Sequence, residues 1–368
     1  TTMQTLGRFA IIGGTVLVAF ANVILFQGID DLADKDRTEL YASIYLYALV
    51  IPVVSIFGVF LANLLKRRRF LALKENNRFL VKSAGQIEKI KVNWTILLGS
   101  LIFVIFSVSV GSLNIKFAQE IVFSGSVAII LFLMSKLITE LPKKQRNTII
   151  GTAIIIFVFR AVPNPGPGLS WFEIDELGFN EQFFSVLSLL ASTLTLLGII
   201  LLRPFISRNS IAKVIVVLSL AGAIMFLPSI AMYHGFHNWS SAMTAGIVDA
   251  KFIAVINTSL ESPLGQVAMI PLLAWIAKNA PANVKATFFA VFASFTNLAL
   301  SASALITKYI NEIFIVTREI KDKVTNEIIS VADYSELGFV LITVLIITLA
   351  LPIGSVFIIQ RSSYQTTD

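Results

Sequence analysis

The chain has 368 residues, of which 56% are hydrophobic and 14% are charged, and its mean hydropathy is +0.83. Soluble domains have about a quarter of their residues charged, so this composition indicates an integral membrane protein and excludes a soluble nucleic-acid binder. The chain has no cysteine and two histidines. This excludes disulfide frameworks, thiol nucleophiles and Cys-ligated metal centres, and we expect no metal, no cofactor and no enzymatic activity.

Ten apolar stretches predict ten transmembrane helices, because a bilayer core about 30 Å thick needs roughly 20 apolar residues per helix. Runs such as 149–159 and 214–220 are apolar on every side, which favours helices over the alternating strands of a barrel. The predicted fold is an all-α polytopic bundle with spans at 7–26, 40–64, 94–112, 117–138, 149–164, 182–202, 212–232, 247–277, 284–310 and 336–360.

The first span is longer than the apolar core of a signal peptide. No small-residue cleavage site follows it before Gln27 and an acidic run, so we expect it to stay in the mature protein. Residue 1 is Thr rather than Met. We therefore expect the true start of the protein to lie upstream.

The distribution of Lys and Arg predicts the orientation of the chain, because positively charged loops stay in the cytoplasm. With residues 1–8 inside, the inner segments hold nineteen Lys and Arg and four Asp and Glu, whereas the outer segments hold eight and sixteen. Both termini are therefore expected to be cytoplasmic. The densest basic cluster lies in loop 65–93, where anionic lipid headgroups are an expected partner, although a plain stop-transfer connector explains the same charges.

Arg160 lies inside a predicted span, where a charge is costly and usually faces a protein interior or a water-filled cavity. Three prolines and two glycines within 163–168 must end the helix just after it. A guanidinium fork at the end of a broken helix suits a carboxylate substrate. An Arg that reaches the outer headgroups explains the position equally well.

Glu261 lies near the middle of the long eighth span, beside Pro263 and within about a turn of Asn257 and Gln266. Transporters build substrate and coupling-ion sites from broken helices with polar groups near the midplane of the membrane. The sequence therefore predicts a substrate-binding or proton-coupling site here. The competing interpretation is a buried ion pair, for example with Arg160, that only holds two helices together.

Three further residues, Asn297, Trp171 and Phe172, are weaker candidates. Asn297 in the ninth span could contact substrate, although small polar residues more often bond neighbouring helices. Trp171 and Phe172 could stack on an aromatic substrate at the cavity mouth, or could belong to the aromatic belt at the membrane surface. Glu120 is interpreted as structural, with Lys116 one turn away as its expected partner.

Several motifs in the second half match a known pattern: RAVP at 160–163, ELGF at 176–179, MIPL at 269–272 and ATFFA at 286–290. In these segments, and over about 149–310, the chain resembles the folate–biopterin transporter family of the major facilitator superfamily. The resemblance implies two halves of six helices and a folate or pterin-like organic anion as substrate.

Counted back from the last span, the second half, residues 149–368, has six helices, and the first half, residues 1–148, has four. The family's first helical hairpin is therefore expected to be missing from this sequence. A second departure is Lys285, where the family usually has an acidic residue.

The sequence predicts a secondary-active transporter, a symporter of an organic anion that works by alternating access to a site between the halves. The alternative is a non-transporting accessory or assembly subunit of a larger membrane complex. The incomplete first half and Lys285 favour the subunit, whereas Glu261 and the broken helices favour transport. An enzyme is disfavoured because no nucleophile–base pair or metal-ligand set is visible.

Overall fold

The computed structural model describes residues 2–76, 94–113, 115–139, 141–262, 285–321 and 328–366, and these residues are mostly helical. The helices in chain order are α1 (Thr2–Leu25), α2 (Asp34–Ala48), α3 (Val50–Asn76), α4 (Trp94–Ser112), α5 (Ala118–Ile138), α6 (Lys143–Arg160), α7 (Pro167–Asp175), α8 (Glu181–Arg208), α9 (Ile211–Tyr233), α10 (Phe236–Met243), α11 (Ala250–Glu261), α12 (Lys285–Ile313) and α13 (Leu337–Gln360). A single 3-10 turn, Ile29–Asp31, precedes α2.

Six segments of the described chain are long and apolar enough to cross a membrane: Lys35–Arg68, Ala118–Ile138, Glu181–Leu202, Ile211–Tyr233, Thr287–Ile313 and Leu337–Gln360. Two shorter apolar helices, Phe9–Leu25 and Leu97–Ser112, coincide with the first and third predicted spans. The protein is therefore an integral membrane protein with several crossings. The predicted total of ten crossings stays a prediction.

The second predicted span consists of two helices, because α2 ends at Ala48 and α3 begins at Val50. Pro52 explains the break: it has no N–H to donate to the carbonyl of Ala48, and its ring crowds the preceding turn. Helix α3 then continues to Asn76, beyond the predicted end of the span. Residues 66–69 of the basic cluster are therefore helical, and residues 77–93 lie outside the described residues.

The contacts divide the chain into two compact units, residues 24–94 and residues 1–23 with 95–368. In the smaller unit, the rings of Phe26 and Tyr41 lie 5.6 Å apart, and Ile29 is buried. Most apolar side chains of α3 are exposed, which suits a helix that faces lipid. The predicted division of the chain after residue 148 stays a prediction.

Helix α6 is at the centre of the larger unit and packs on α9, α12 and α13. Ile149 and Ile156 are fully buried in a cluster with Phe288 and Phe292 of α12. Ile155, on another side of the helix, is buried in the cluster that α9 and α13 form. Neighbouring helices on more than one side explain why this stretch of α6 is apolar on every side.

Three helices of the larger unit begin at residues that cap them with their side chains. Asn180 accepts a hydrogen bond from the amide of Phe183 at 2.8 Å, and Asp249 accepts one from Phe252 at 2.8 Å. Ser210 caps α9 in the same way, through a 3.4 Å bond from the amide of Lys213. These bonds satisfy amides that the first turn of a helix leaves without a partner.

The loop between α12 and α13 carries a small antiparallel hairpin of β1 (Ile320–Lys321) and β2 (Ile328–Ser330), which the all-helical prediction did not include. Thr317 and Asp333 extend the pairing through two backbone hydrogen bonds of 3.1 and 3.0 Å. Outside the predicted spans, backbone groups can pair across strands because water satisfies the open edges.

Candidate functional site

Helix α6 ends at Arg160, as the proline-rich sequence predicts. The half-buried Arg160 is followed by an irregular segment, and Gly166 has a φ of 79° that glycine adopts without steric cost. Pro167 then begins the short helix α7, where its missing N–H costs nothing. The sequence therefore predicted both the break and the position of the guanidinium at the end of the helix.

Polar side chains of α12 bind the irregular segment. The Ser303 hydroxyl donates to the carbonyl of Val162 at 2.7 Å, and the Asn311 amide donates to the carbonyl of Pro165 at 3.2 Å. Between them, the Thr307 hydroxyl accepts from the amide of Asn164 at 3.1 Å and donates to its carbonyl at 3.2 Å.

These three residues of α12 are spaced four residues apart, which places them on one face of the helix. We call Ser303, Thr307 and Asn311 the α12 polar row. One turn before the row, Ala299 packs with Ala302 and with Ala161. Small side chains let two helices approach closely, so hydroxyl and amide groups of α12 can reach the backbone after α6.

Asn257 and Glu261 lie one turn apart at the end of α11, as predicted, and α11 packs on α8 and α9. The Asn257 Oδ1 is buried and accepts no hydrogen bond from the described residues. Glu261 is exposed, and the carbonyl of the next residue, Ser262, accepts a 2.8 Å hydrogen bond from Thr195 of α8. Residues 263–284, which include Gln266, lie outside the described residues.

The structure places Arg160 and Glu261 on different helices, both of which contact α9. Arg160 is on α6, which packs on α9, α12 and α13, whereas Glu261 is on α11, which packs on α8 and α9. No ion pair within 4.0 Å joins Arg160 to Glu261 in the described part of the chain. Asn297 lies on α12, before the α12 polar row, and is exposed.

The two aromatic candidates lie on α7 and differ in burial. Phe172 is 8% exposed, and its ring lies 5.6 Å from the ring of Tyr233 and 5.8 Å from that of Tyr334. Trp171 is half-buried. Since protein rings already pack against Phe172, its side chain stabilises the connection of α7 to α9 and α13.

Asp175 at the end of α7 binds Arg318 through two hydrogen bonds of 2.7 and 3.1 Å, and the Tyr334 hydroxyl also donates to it. The hydrogen bond from Arg318 lowers the pKa of the Asp175 carboxyl. This cluster ties α7 to the loop that carries the hairpin. The sequence did not predict this cluster, because the sequence of the loop does not indicate which carboxylate Arg318 binds.

Glu173 of α7 is half-buried, and burial raises the pKa of its carboxyl from 4.5 to about 7. Between these values the folded protein keeps a proton that the unfolded chain has released, so stability decreases as the pH rises. We expect the melting temperature to fall over this interval, and Glu173→Gln to make the fall smaller. Melting curves from pH 4.5 to pH 7.5 measure this, with the exposed Glu176→Gln as control. Identical profiles for wild type and Glu173→Gln would contradict it.

Glu120 at the start of α5 binds α12, not Lys116 as the sequence suggested. Its Oε1 accepts hydrogen bonds of 2.7 Å from the ammonium of Lys308 and 2.7 Å from the hydroxyl of Tyr309. Lys308 also lies 3.8 Å from Glu312 one turn later. Glu120 and Lys308 are 188 residues apart in the chain, so local spacing could not identify the pair.

A cleft of about 200 Å³ lies between α4, α5 and α12. Ala290 and Ser294 line it, and Ala290 is the last residue of the ATFFA motif. The other lining residues are Ser100 and six apolar residues: Phe103, Val104, Ile129, Ile130, Leu133 and Val291.

The sequence profile described as the BT1 family matches residues 26–367. The chain belongs to the BT1 family. The match includes α2 to α13, with Arg160 and Glu261, and it confirms the family resemblance that the motifs predicted.

Relatives of this BT1-family chain are named as folate transporters. It is 24% identical to the Folate-biopterin transporter of Synechocystis sp. over 155 residues, which are 42% of this chain and 30% of that protein. It is 24% identical over 149 residues to the Folate transporter 2 of Plasmodium falciparum, covering 40% of this chain and 31% of the relative. The matches span about a third of the length of these relatives. No solved structure matches the chain.

Proposed function

We propose that this BT1-family chain is a secondary-active transporter of folate or another pterin-like organic anion, and that it works by alternating access. The match to the family over residues 26–367 carries the proposal, and the names of the relatives support the substrate class. The accessory-subunit alternative has no comparable support, because the matched relatives are named transporters. Family membership likewise favours transport over enzymatic catalysis.

The geometry around Arg160 supports an anionic substrate. Folate-like molecules carry carboxylates, and a guanidinium binds a carboxylate through two parallel hydrogen bonds. Arg160 lies where α6 ends, next to a segment whose backbone the α12 polar row already binds. A side chain on an anchored backbone loses little freedom when it binds a ligand, so this position favours recognition of a carboxylate.

Uptake of radiolabelled folate into proteoliposomes tests this proposal. Arg160→Lys keeps the charge but loses the bidentate geometry, and we expect roughly tenfold weaker uptake or more, as for a lost charge-assisted hydrogen bond. Arg318→Lys is the matched control, because Arg318 pairs with Asp175 in the loop cluster. Absence of saturable uptake by the wild type would contradict transport of folate, and full activity of Arg160→Lys would contradict the role of Arg160.

We also propose that both termini face the cytoplasm, which the asymmetry of Lys and Arg supports. This orientation puts the basic residues 66–69 next to the anionic lipid of the inner leaflet. Because the chain has no cysteine, Gln145→Cys and Ile329→Cys each introduce a single thiol. An impermeant maleimide added to intact cells should label Cys at 329 and not at 145, and the reverse result would overturn the orientation.

A further inference from the structure

Helix α10 connects the end of α9 to the start of α11 and contacts both helices. Its residues, Phe236–Met243, lie outside the predicted spans. Helix α9 has 23 residues, which gives a length of about 34 Å at about 1.5 Å per residue, whereas a bilayer core is about 30 Å thick. The end of α9 is therefore expected near the membrane surface. Gly235, with a φ of 78°, then turns the chain into α10.

The polar side chains of α10 bind the backbone of the protein itself. The buried Ser240 hydroxyl donates a 2.8 Å hydrogen bond to the carbonyl of Val248, and the Nδ1 of His237 lies 3.1 Å from the carbonyl of Met232. Just after the helix, the Thr244 hydroxyl accepts a 2.9 Å hydrogen bond from the amide of Val248. The three polar side chains are spaced three and four residues apart, so they share the face of α10 that packs on the protein.

The opposite face of α10 is apolar and exposed. Exposed fractions between 44% and 71% are found for four residues of α10 and the turn after it: Phe236, Trp239, Met243 and Ile247. We call these four residues the α10 apolar face. The rings of Phe236 and Trp239 lie 5.4 Å apart, so the two aromatic side chains form one surface. A helix that borders water has the reverse arrangement, with polar side chains outward and apolar side chains toward the protein.

The α10 apolar face joins two helices that also expose apolar side chains. These side chains recur every three or four residues: Leu220, Ile224 and Leu227 on α9, and Phe252, Ile256 and Leu260 on α11. On membrane helices, such rows face the acyl chains of the lipid.

The segment also has no charges with which to recognise a soluble protein. Residues 214–248, which include α10 and the turns beside it, contain no Asp, Glu, Lys or Arg. Interfaces between proteins usually surround an apolar centre with a polar rim. The lack of charge therefore favours lipid as the partner of this face.

We propose that α10 is an interfacial helix whose apolar face lies in lipid, at the boundary between the headgroups and the acyl chains. Trp side chains are enriched at this depth because the ring is apolar and the indole N–H can donate a hydrogen bond. Trp239 is thus the anchor, and Phe236, Met243 and Ile247 contact acyl chains. The exposed Asn238 beside them offers its amide to the headgroups. This lipid contact does not depend on the proposed function or on the side of the membrane that α10 faces.

Quenching of Trp239 fluorescence by lipid tests the proposal. The chain has four tryptophans, so Trp94→Phe, Trp171→Phe and Trp275→Phe together leave Trp239 as the only one. The full chain with these changes is placed in nanodiscs of phosphatidylcholine that carries bromine either near the headgroup or deep in the acyl chain. Interfacial helices bury their apolar face by about 5–10 Å, so we expect the shallow bromine to remove about half of the emission or more, and aqueous iodide to remove little.

Two matched controls carry the single tryptophan elsewhere, in a chain that also has Trp239→Phe. Ile224→Trp, exposed near the middle of α9, should be quenched more by the deep bromine than by the shallow one. Gln145→Trp, exposed in the first turn of α6, should be quenched by iodide.

Three results would overturn the proposal. Stronger quenching of Trp239 by iodide than by either lipid would show that water covers the face. Stronger quenching by the deep bromine than by the shallow one would place the face in the hydrocarbon core. Absence of quenching by lipid and by iodide would show that protein covers it, such as a second copy of this chain.

Met243→Cys provides the same test without the loss of any tryptophan, should the single-tryptophan chain not fold. The chain has no cysteine, so a polarity-sensitive fluorophore binds this one thiol. In nanodiscs we expect emission at shorter wavelength than from the same label on Gln145→Cys, because the α10 apolar face lies in lipid. Equal emission from the two labels would contradict the proposal.

Discussion

Under the proposed transport function, Glu261→Gln should abolish a pH dependence of folate uptake and leave the protein folded. A carboxylate in a membrane span is costly unless it is protonated, paired or hydrated, and a transporter can use this cost to bind and release a proton. In the described part of the chain no ion pair joins Glu261 to Arg160, so removing the carboxyl leaves no unmatched guanidinium there. Gln keeps the shape and the hydrogen-bonding capacity while it cannot titrate.

The measurement is folate accumulation in proteoliposomes with and without an inward proton gradient. We expect the gradient to increase accumulation about tenfold or more in the wild type, which corresponds to about 1.4 kcal/mol of coupling, and not in Glu261→Gln. Glu176→Gln in the exposed segment after α7 is the control. Full pH-dependent uptake by Glu261→Gln would exclude the coupling role. A lower melting temperature that Arg160→Gln restores would instead support an ion pair.

Thr307→Val should lower both stability and substrate binding. Thr307 is 9% exposed, and its hydroxyl bonds both the amide and the carbonyl of Asn164. Val has nearly the same shape but leaves these buried backbone groups without a partner, at a cost of about 1–3 kcal/mol for each unsatisfied group. The segment after Arg160 then loses an anchor, so we expect weaker folate binding as well.

Melting temperature and folate binding in detergent check this expectation. Thr296→Val is the matched control on the same helix, because the described hydrogen bond of the Thr296 hydroxyl is to the carbonyl of Ala293 within α12. A Thr307→Val protein that melts and binds folate as Thr296→Val does would show that the α12 polar row does not position the site.

Most helices could be predicted from the sequence because each depends on local composition. A long apolar stretch specifies a helix wherever its neighbours lie, and prolines 163 to 167 end α6 through sterics that act within one turn. The break before α3 could also have been predicted from the sequence, since Pro52 disrupts the helical turn that precedes it. The hairpin was missed because its strands are only two and three residues long.

The site depends on which helices are neighbours, and this information is not local. The α12 polar row binds the segment after α6 because α12 lies beside the end of α6 in the folded protein. A polar residue every fourth position was the available signal, but Asn311 lies just beyond the predicted span. The partners of Glu120 required knowledge that α5 packs on α12, which charge spacing along one helix does not provide.

Hydrogen bonds attach α12 unequally to its neighbours α5 and α6. Within the described residues, the end of α6 is joined to α12 by hydrogen bonds at three successive turns, from Ser303 to Asn311. In the same described residues, the start of α5 is joined to α12 by the bonds of Glu120 with Lys308 and Tyr309. Separating α12 from α5 breaks fewer of these bonds than separating it from α6. In hydrogen bonds between side chains and the neighbouring helix or segment, α12 is therefore attached more firmly at the end of α6 than at the start of α5.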